Sequence, residues 1–156
     1  MKGRNSCWLA PAAFVLDRLT KLLAQKTLLP GVRRNALPGF FRFVLVKNTG
    51  AAFSMLSGRQ GLLIGVTALA LIAMIVFQLT RGGKRTPLFR AGLWLLIGGA
   101  AGNLFDRIAY GGVIDFIETA FIRFPVFNVA DICICAAFGL IALAALLEER
   151  EHRKNA

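Results

Sequence analysis

Two aspartates stand beside apolar stretches where a charge is costly. Asp115 lies in "GGVIDFI", and Asp131 comes directly before the apolar run "ICICAAFGL". Two carboxylates that share a site cannot both ionise cheaply, so one of them keeps a proton near neutral pH. The charged member can then activate a water as general base, while the protonated member polarises a carbonyl and later protonates a leaving amine. The pair therefore suits amide hydrolysis, provided that the fold brings the two residues together.

A purely structural role for Asp131 is equally consistent with its spacing. Asn128 precedes it by three residues, which is the spacing of a capping box at a helix N-terminus. A negative charge in the first helical turn also interacts favourably with the helix dipole. Capping and catalysis are compatible roles, and spacing alone leaves both open.

Other polar residues also have structural interpretations. Asp17 and Lys21 are four residues apart and form an i, i+4 pair on one helix face. Asp106 next to Arg107 indicates an ion pair or membership of a polar network. The stretch "NTGAAFS" at 48–54 is typical of an asparagine-containing turn. From spacing alone, an enzyme is only slightly favoured over a non-catalytic membrane protein.

The composition is that of an integral membrane protein. Of the 156 residues, 56% are hydrophobic, and residues 60–80 form a 21-residue run without a charge. Such a run makes about 31 Å of helix, close to the thickness of a bilayer's hydrocarbon core. The net charge of +11 is then explained by basic residues that orient the spans and attract anionic lipid head groups. We expect no nucleic-acid binding, because no soluble segment is long enough for a recognition module.

The predicted fold is mainly α, a single membrane domain over 1–156 with four transmembrane helices. The apolar stretches that predict these helices are 6–26, 60–80, 90–109 and 128–147. The first is interpreted as a retained span rather than a cleaved signal peptide. Alternating apolar and polar residues in 27–59 predict one or more surface strands, and the 110–127 connection has a similar character. Gly98, Gly99 and Gly102 would allow close helix approach in the third span.

The arrangement of basic residues places both termini in the cytoplasm, because lysine and arginine are denser in the tails and in the 81–90 loop. Four spans then bring a set of nine polar residues of the spans and connections to the opposite, extracytoplasmic face. These residues are Asp17, Lys21, Asn48, Asn103, Asp106, Arg107, Asp115, Asn128 and Asp131. A shared face would allow Asp115 and Asp131 to approach each other.

Neither a metal site nor a disulfide is expected from the sulfur and imidazole side chains. The three cysteines, Cys7, Cys133 and Cys135, all fall in predicted spans, and the single histidine, His152, lies in the polar tail. Metal sites and disulfide frameworks need clustered ligands or paired cysteines. We therefore expect no metal and no cofactor.

Five motifs together resemble one family, the lipoprotein signal peptidases (type II signal peptidases) of bacteria. The motifs are "DRLTK" (17–21), "NTGAAFS" (48–54), "GGAAGNLFDR" (98–107), "GGVIDFI" (111–117) and "FNVAD" (127–131). They occur in the family's order and cover essentially the whole chain. The resemblance implies four membrane helices, a small extracytoplasmic sheet and a further loop or helix element over the site.

The resemblance also implies an activity and a set of site residues. Members are aspartic endopeptidases that remove signal peptides from diacylglyceryl-modified prolipoproteins, cutting before the lipidated cysteine. The catalytic pair would be Asp115 and Asp131. Supporting or substrate-binding positions would be Asp17, Lys21, Asn48, Gly50, Asn103, Asp106, Arg107, Asn128 and Ala130. We expect the protein to be a monomer in the bacterial inner membrane, without a metal cofactor.

Rival interpretations come from other functional classes. The two carboxylates could serve as relays in a small proton-conducting or transport subunit, or the acids could only cap helices and form ion pairs. A relay predicts acids at the middle of the membrane, whereas these acids cluster toward one face.

Overall fold

The computed structural model describes residues 6–50, 58–82 and 85–155, which contain four helices and three strands. In chain order these are α1 (Leu9–Thr27), β1 (Arg34–Leu37), β2 (Phe41–Asn48), α2 (Gln60–Thr80), α3 (Pro87–Tyr110), β3 (Val113–Thr119) and α4 (Val129–Asn155). Every predicted span overlaps one of the four helices. The predicted motif residues at 51–54 lie outside the described residues.

The helix ends differ from the predicted ends where local capping decides them. α3 starts at Pro87 rather than near residue 90, because the Thr86 side chain accepts a hydrogen bond from the Phe89 N–H and proline suits the first helical position. α4 continues to Asn155 instead of ending near 147. The i, i+4 ion pair between Glu149 and Arg153 supports this extension.

Within the described residues, three helices are long and apolar enough to cross a membrane: α2, α3 and α4. α1 is a continuous helix, but the charged residues Asp17, Arg18 and Lys21 interrupt its apolar sequence. The structure therefore supports a multi-pass membrane protein with four helices, and the crossing of α1 stays a prediction.

The predicted surface strands are present and form one antiparallel sheet in the order β1-β2-β3. β3 pairs with β2 so that Asp115 lies opposite Val46, and Val113 lies opposite Asn48. After β3 the chain returns through an isolated bridge between Ile117 and Phe127. The sheet thus joins the segment after α1 to the segment between α3 and α4, at one end of the helices.

α3 is the central helix and packs against the other three. Its glycines allow close contacts, as the sequence predicts. A β-carbon at Gly98 would meet the backbone of Ala10, one at Gly99 would meet the carbonyl of Ala130, and one at Gly102 would meet the Asp17 carboxylate. These contacts hold α1 and α4 against the α3 segment that precedes the sheet.

We predict that Gly99→Ala destabilises the protein, because the new methyl group would lie 2.7 Å from the Ala130 carbonyl oxygen, a backbone atom that cannot rotate away. Overpacking of this kind costs about 1–3 kcal/mol. Thermal unfolding of the purified protein in detergent measures the effect. The matched control is Gly139→Ala in α4, where a β-carbon meets nothing within 4 Å. This control should be neutral or slightly stabilising because alanine favours helix. Equal unfolding temperatures for the two variants would contradict the packing argument.

Candidate active site

Asp131 caps the helix that carries it, as the sequence predicts. Its carboxylate accepts a hydrogen bond from the Asn128 backbone N–H at 3.1 Å, and its own N–H donates to the Asn128 side chain at 3.0 Å. This reciprocal arrangement is a capping box at the start of α4. The cap fixes the position of the Asp131 carboxylate and leaves its other oxygen available for a second partner.

Asp115 is held on β3 by two amide donors. Its side chain is only 3% exposed. It accepts hydrogen bonds from Asn128 Nδ2 at 2.6 Å and from Asn48 Nδ2 at 3.2 Å. Asn48 ends β2, and its own side-chain oxygen accepts from the Gly50 N–H at 2.9 Å, which confirms the predicted asparagine turn. Pairing of β2 with β3 therefore supplies one donor, and the start of α4 supplies the other.

Asn103 connects the two acids. Its Nδ2 donates to Asp131 at 2.8 Å, while its Oδ1 accepts from Asn128 Nδ2 at 3.1 Å. The same Asn128 nitrogen donates to Asp115. Side-chain amides carry both donors and an acceptor, so two of them form a continuous bridge between the two carboxylates.

A buried ion network lies behind this bridge, and Lys21 is its centre. Lys21 and its two carboxylate partners have no exposed surface. The ammonium group lies 2.9 Å from Asp17 and 2.8 Å from Asp106, and it donates to Asn103 at 2.9 Å. Asp17 also accepts from the Ala130 N–H, and Asp106 accepts from the Ile114 N–H, both at 3.1 Å. The network thereby fixes the starts of α4 and β3, the elements that carry Asp131 and Asp115.

Asp106 belongs to a network, as expected, but Arg107 is not its hydrogen-bonding partner. Adjacent helical residues point in different directions. Arg107 instead donates to the carbonyl oxygens of Gly50 at 3.3 Å and Asn103 at 3.4 Å. The second cation of the network is Arg18, which forms an ion pair with Asp106 and lies with its guanidinium carbon 4.9 Å from the centre of the Phe105 ring.

Sequence reasoning assigned no role to Arg18. Its sequence position does indicate a role, because Arg18 adds a further charge to an otherwise apolar stretch and the Asp17–Lys21 pair does not account for that charge. The structure shows the reason for it. Two carboxylates and two cations meet here, so the network balances its charge, and the Arg18 side chain is only 12% exposed.

Both candidate catalytic carboxylates line one cavity of about 540 Å³. Its polar wall is formed by Asn48, Asn103, Arg107, Asp115 and Asp131. The rest of the wall is largely apolar and comes from Val113, from the 124–127 segment and from Ile132, Ile134, Cys135 and Ala136 of α4. The cavity combines a carboxylate pair with an apolar surface next to the helices.

The environment of Asp115 favours its protonated form. Burial, followed by the neighbouring Asp131 carboxylate, raises the pKa of Asp115 to about 7. Hydrogen bonds from Asn128 and Asn48 and the charge of Lys21 act in the opposite direction. Near neutral pH, this carboxyl group can therefore keep the proton that a catalytic pair needs.

The structure brings together all eleven site residues that the sequence and the resemblance indicate. Asp115, Asp131, Asn48, Asn103 and Arg107 line the cavity. The other members contact these residues or the buried network: Asp17, Lys21, Gly50, Asp106, Asn128 and Ala130. The described residues include no group of three or more His, Cys, Asp or Glu side chains suited to a metal ion, and the absence of a cofactor stays a prediction.

Comparison with known proteins gives consistent matches over most of the chain. A family model described as signal peptidase (SPase) II matches residues 9–147. The lipoprotein signal peptidase of Symbiobacterium thermophilum is 43% identical over 145 residues, which cover 92% of this chain and 95% of that protein. The corresponding protein of Gloeobacter violaceus is 41% identical, covering 91% and 82%. A bacterial membrane enzyme solved by the in meso method superposes with a TM-score of 0.87 at 30% identity, covering 97% of this chain and 92% of that one.

We predict that Lys21→Met strongly destabilises the protein, because Asp17 and Asp106 would lose the ammonium group that lies within 3 Å of both. Removing one partner of a buried ion pair typically costs about 3–5 kcal/mol. The measurements are the yield of folded protein and its thermal unfolding in detergent. Lys26→Met is the matched control, since Lys26 is an exposed residue of the same helix. If both variants unfolded at the wild-type temperature, the network would not be the stabilising element described here.

Proposed function

The chain belongs to the lipoprotein signal peptidase (signal peptidase II) family of aspartic peptidases, and we propose that Asp115 and Asp131 are its catalytic pair. Its activity is the cleavage of signal peptides from prolipoproteins. One observation carries the assignment of the pair. The two carboxylates line the same cavity and are joined through the Asn103–Asn128 amide bridge.

In the proposed mechanism, the two acids take different parts. Asp131 lies in the first turn of α4, where the helix dipole favours a negative charge, so it acts as the base that takes a proton from the attacking water. Asp115 holds the shared proton, donates a hydrogen bond to the scissile carbonyl and then protonates the leaving amine. The elevated pKa of Asp115, about 7, supports this division of roles.

The cavity wall suggests how a lipid-modified substrate would be bound. The apolar side chains of Ile132, Ile134 and Phe127 line the same space as the two acids, so a diacylglyceryl chain could remain in an apolar environment during cleavage. Arg107 and Asn48 offer donors for peptide carbonyl groups on the polar side. With the lipid on the apolar wall and the peptide on the polar wall, the peptide bond next to the lipidated cysteine would lie near the two acids, and cleavage would occur there.

The proposed location is the bacterial inner membrane, with all four helices crossing it. Both termini are placed in the cytoplasm and the sheet and site at the extracytoplasmic side. The charge distribution of the sequence supports this orientation. A loop or helix over the site and a monomeric state stay predictions.

Family membership decides between the functional classes that spacing left open. The proton-relay and purely structural alternatives used the same carboxylates without hydrolysis. The chain is an enzyme of the signal peptidase II family, and no further observation favours the relay.

We predict that Asp115→Asn and Asp131→Asn each reduce cleavage of a diacylglyceryl-modified prolipoprotein by at least about a hundredfold, the scale of general acid–base catalysis. Gel-shift analysis of the purified enzyme with this substrate measures the rate. Glu149→Gln is the control because it removes an exposed acid from the same helix as Asp131. Full activity in either aspartate variant, with folding confirmed by thermal unfolding, would refute the catalytic pair.

The titration of Asp115 predicts a pH dependence of the rate. As the pH rises through about 7, Asp115 loses its proton, and the leaving amine then lacks its proton donor. We therefore expect kcat/KM to fall on the alkaline side, with an apparent pKa near that value. The cleavage assay should be run over a pH series with enzyme stability checked at each point. A rate that stays constant well above neutral pH would contradict the assignment of the proton to Asp115.

A further inference from the structure

A second cavity, of about 650 Å³, lies beside the active-site cavity on the sheet. The residues that line it are Arg33, Arg42, the 118–123 segment, Phe124 and Pro125. Phe124 and Pro125 also line the active-site cavity, so the two spaces share a wall. The mechanism proposed above uses none of the charged groups in this second cavity.

The second cavity has an excess of positive charge. Arg33 donates to the Glu118 carboxylate through Nε at 2.8 Å and Nη2 at 2.9 Å, and this pairing lowers the pKa of Glu118. Arg42 is farther from the same carboxylate, at 3.9 Å. Arg123 is exposed, and no acid pairs with it among the described residues. One carboxylate thus faces three guanidinium groups, which leaves two positive charges for an anionic ligand.

Large apolar side chains surround these cations. Phe121, Ile122 and Phe124 line the cavity and are 60%, 53% and 50% exposed. Phe41 and Phe43 of β2 and Phe40 in the turn before it are also exposed. Arginines next to exposed aromatic rings are typical of protein surfaces at the membrane–water interface, where rings contact lipid and cations contact head groups.

We propose that this second cavity binds the phosphate head group of an anionic membrane phospholipid. Arg42 and Arg123 contact the phosphate, and Phe121, Ile122 and Phe124 contact the upper part of the acyl chains. A lipid accounts for both features of the cavity. An acidic peptide would use the charge but would leave the exposed apolar side chains unexplained. The inference rests on the proposed position of the sheet at the membrane surface and is independent of the catalytic pair.

Binding at this position would affect the neighbouring active site. The 118–125 segment carries the cation Arg123 and supplies Phe124 and Pro125 to both cavities. A lipid that holds this segment would order one wall of the substrate cavity. Anionic lipid should therefore lower the KM for a prolipoprotein substrate and leave kcat unchanged, because neither acid is touched.

The test measures which lipids accompany the protein. The full chain is reconstituted in nanodiscs of phosphatidylcholine with a minor fraction of phosphatidylglycerol, extracted in mild detergent, and its retained lipids are quantified by mass spectrometry. We expect enrichment of phosphatidylglycerol over phosphatidylcholine for the wild type. Arg42→Gln/Arg123→Gln should reduce this enrichment roughly fivefold or more, given the usual attraction of each basic residue to an anionic surface.

The matched control is Arg81→Gln/Arg150→Gln, which removes the same charge from exposed positions outside the cavity and should reduce the enrichment much less than the cavity variant does. Arg123→Gln alone, with its exposed side chain, provides a second variant if the double variant folds poorly. Asp115→Asn should bind phosphatidylglycerol like the wild type, so a failure of the catalytic proposal would not change this result.

Three outcomes would overturn the proposal. The first is equal enrichment in the cavity variant and the wild type. The second is displacement of the lipid by millimolar glycerol phosphate, which would identify a site for soluble phosphate. The third is a cavity variant that retains lipid like the wild type but cleaves more slowly only those substrates that carry acidic residues after the lipidated cysteine. That result would identify a peptide-binding site.

Discussion

The rest of the structure depends on the contacts that the buried ammonium group of Lys21 makes with its polar partners. A fully buried charge is tolerated only when it is paired and all its donors are used. Lys21 meets this condition with Asp17, Asp106 and Asn103. The partners come from α1 and α3, and their second hydrogen bonds reach the backbone of α4 and β3. A single cation therefore fixes the relative positions of four elements.

The candidate dyad gets its geometry from this network. Asn103 accepts from Lys21 and donates to Asp131, and its contact with Asn128 extends the chain of hydrogen bonds to Asp115. Close packing is part of the same constraint, because any side chain at Gly102 would occupy the space of the Asp17 carboxylate. The connected hydrogen bonds from Lys21 to Asp131 and the close approach of the helices therefore both constrain the positions of the two acids.

Four aspartates at one end of the protein illustrate how environment divides one residue type into two roles. Asp17 and Asp106 face the cations Lys21 and Arg18, so they are structural. Asp115 and Asp131 accept their side-chain hydrogen bonds from neutral amides and line a cavity, so they are accessible to a substrate. The charge balance of the first pair supports the proposal that the second pair is the reactive one.

The sequence alone determined the features that depend on local spacing. The uncharged run at 60–80 requires a helix of membrane length, the Asn128–Asp131 spacing gives the capping box, and the Asp17–Lys21 spacing gives the ion pair. In a membrane, the uncharged run must satisfy its backbone hydrogen bonds within one helix, and helical periodicity fixes the two spacings without reference to the rest of the chain. The family motifs added the candidate site residues.

Only the tertiary structure decided which distant groups meet. It pairs Asn48 with Asp115 through the register of β2 and β3, across 67 positions, and joins Lys21 to Asn103 across 82. In the folded protein, Asp106 forms an ion pair with Arg18, whereas its sequence neighbour Arg107 binds a backbone carbonyl group. Spacing cannot predict such partners, because they depend on how closely the helices approach and on the twist that turns each side chain toward or away from the common interior.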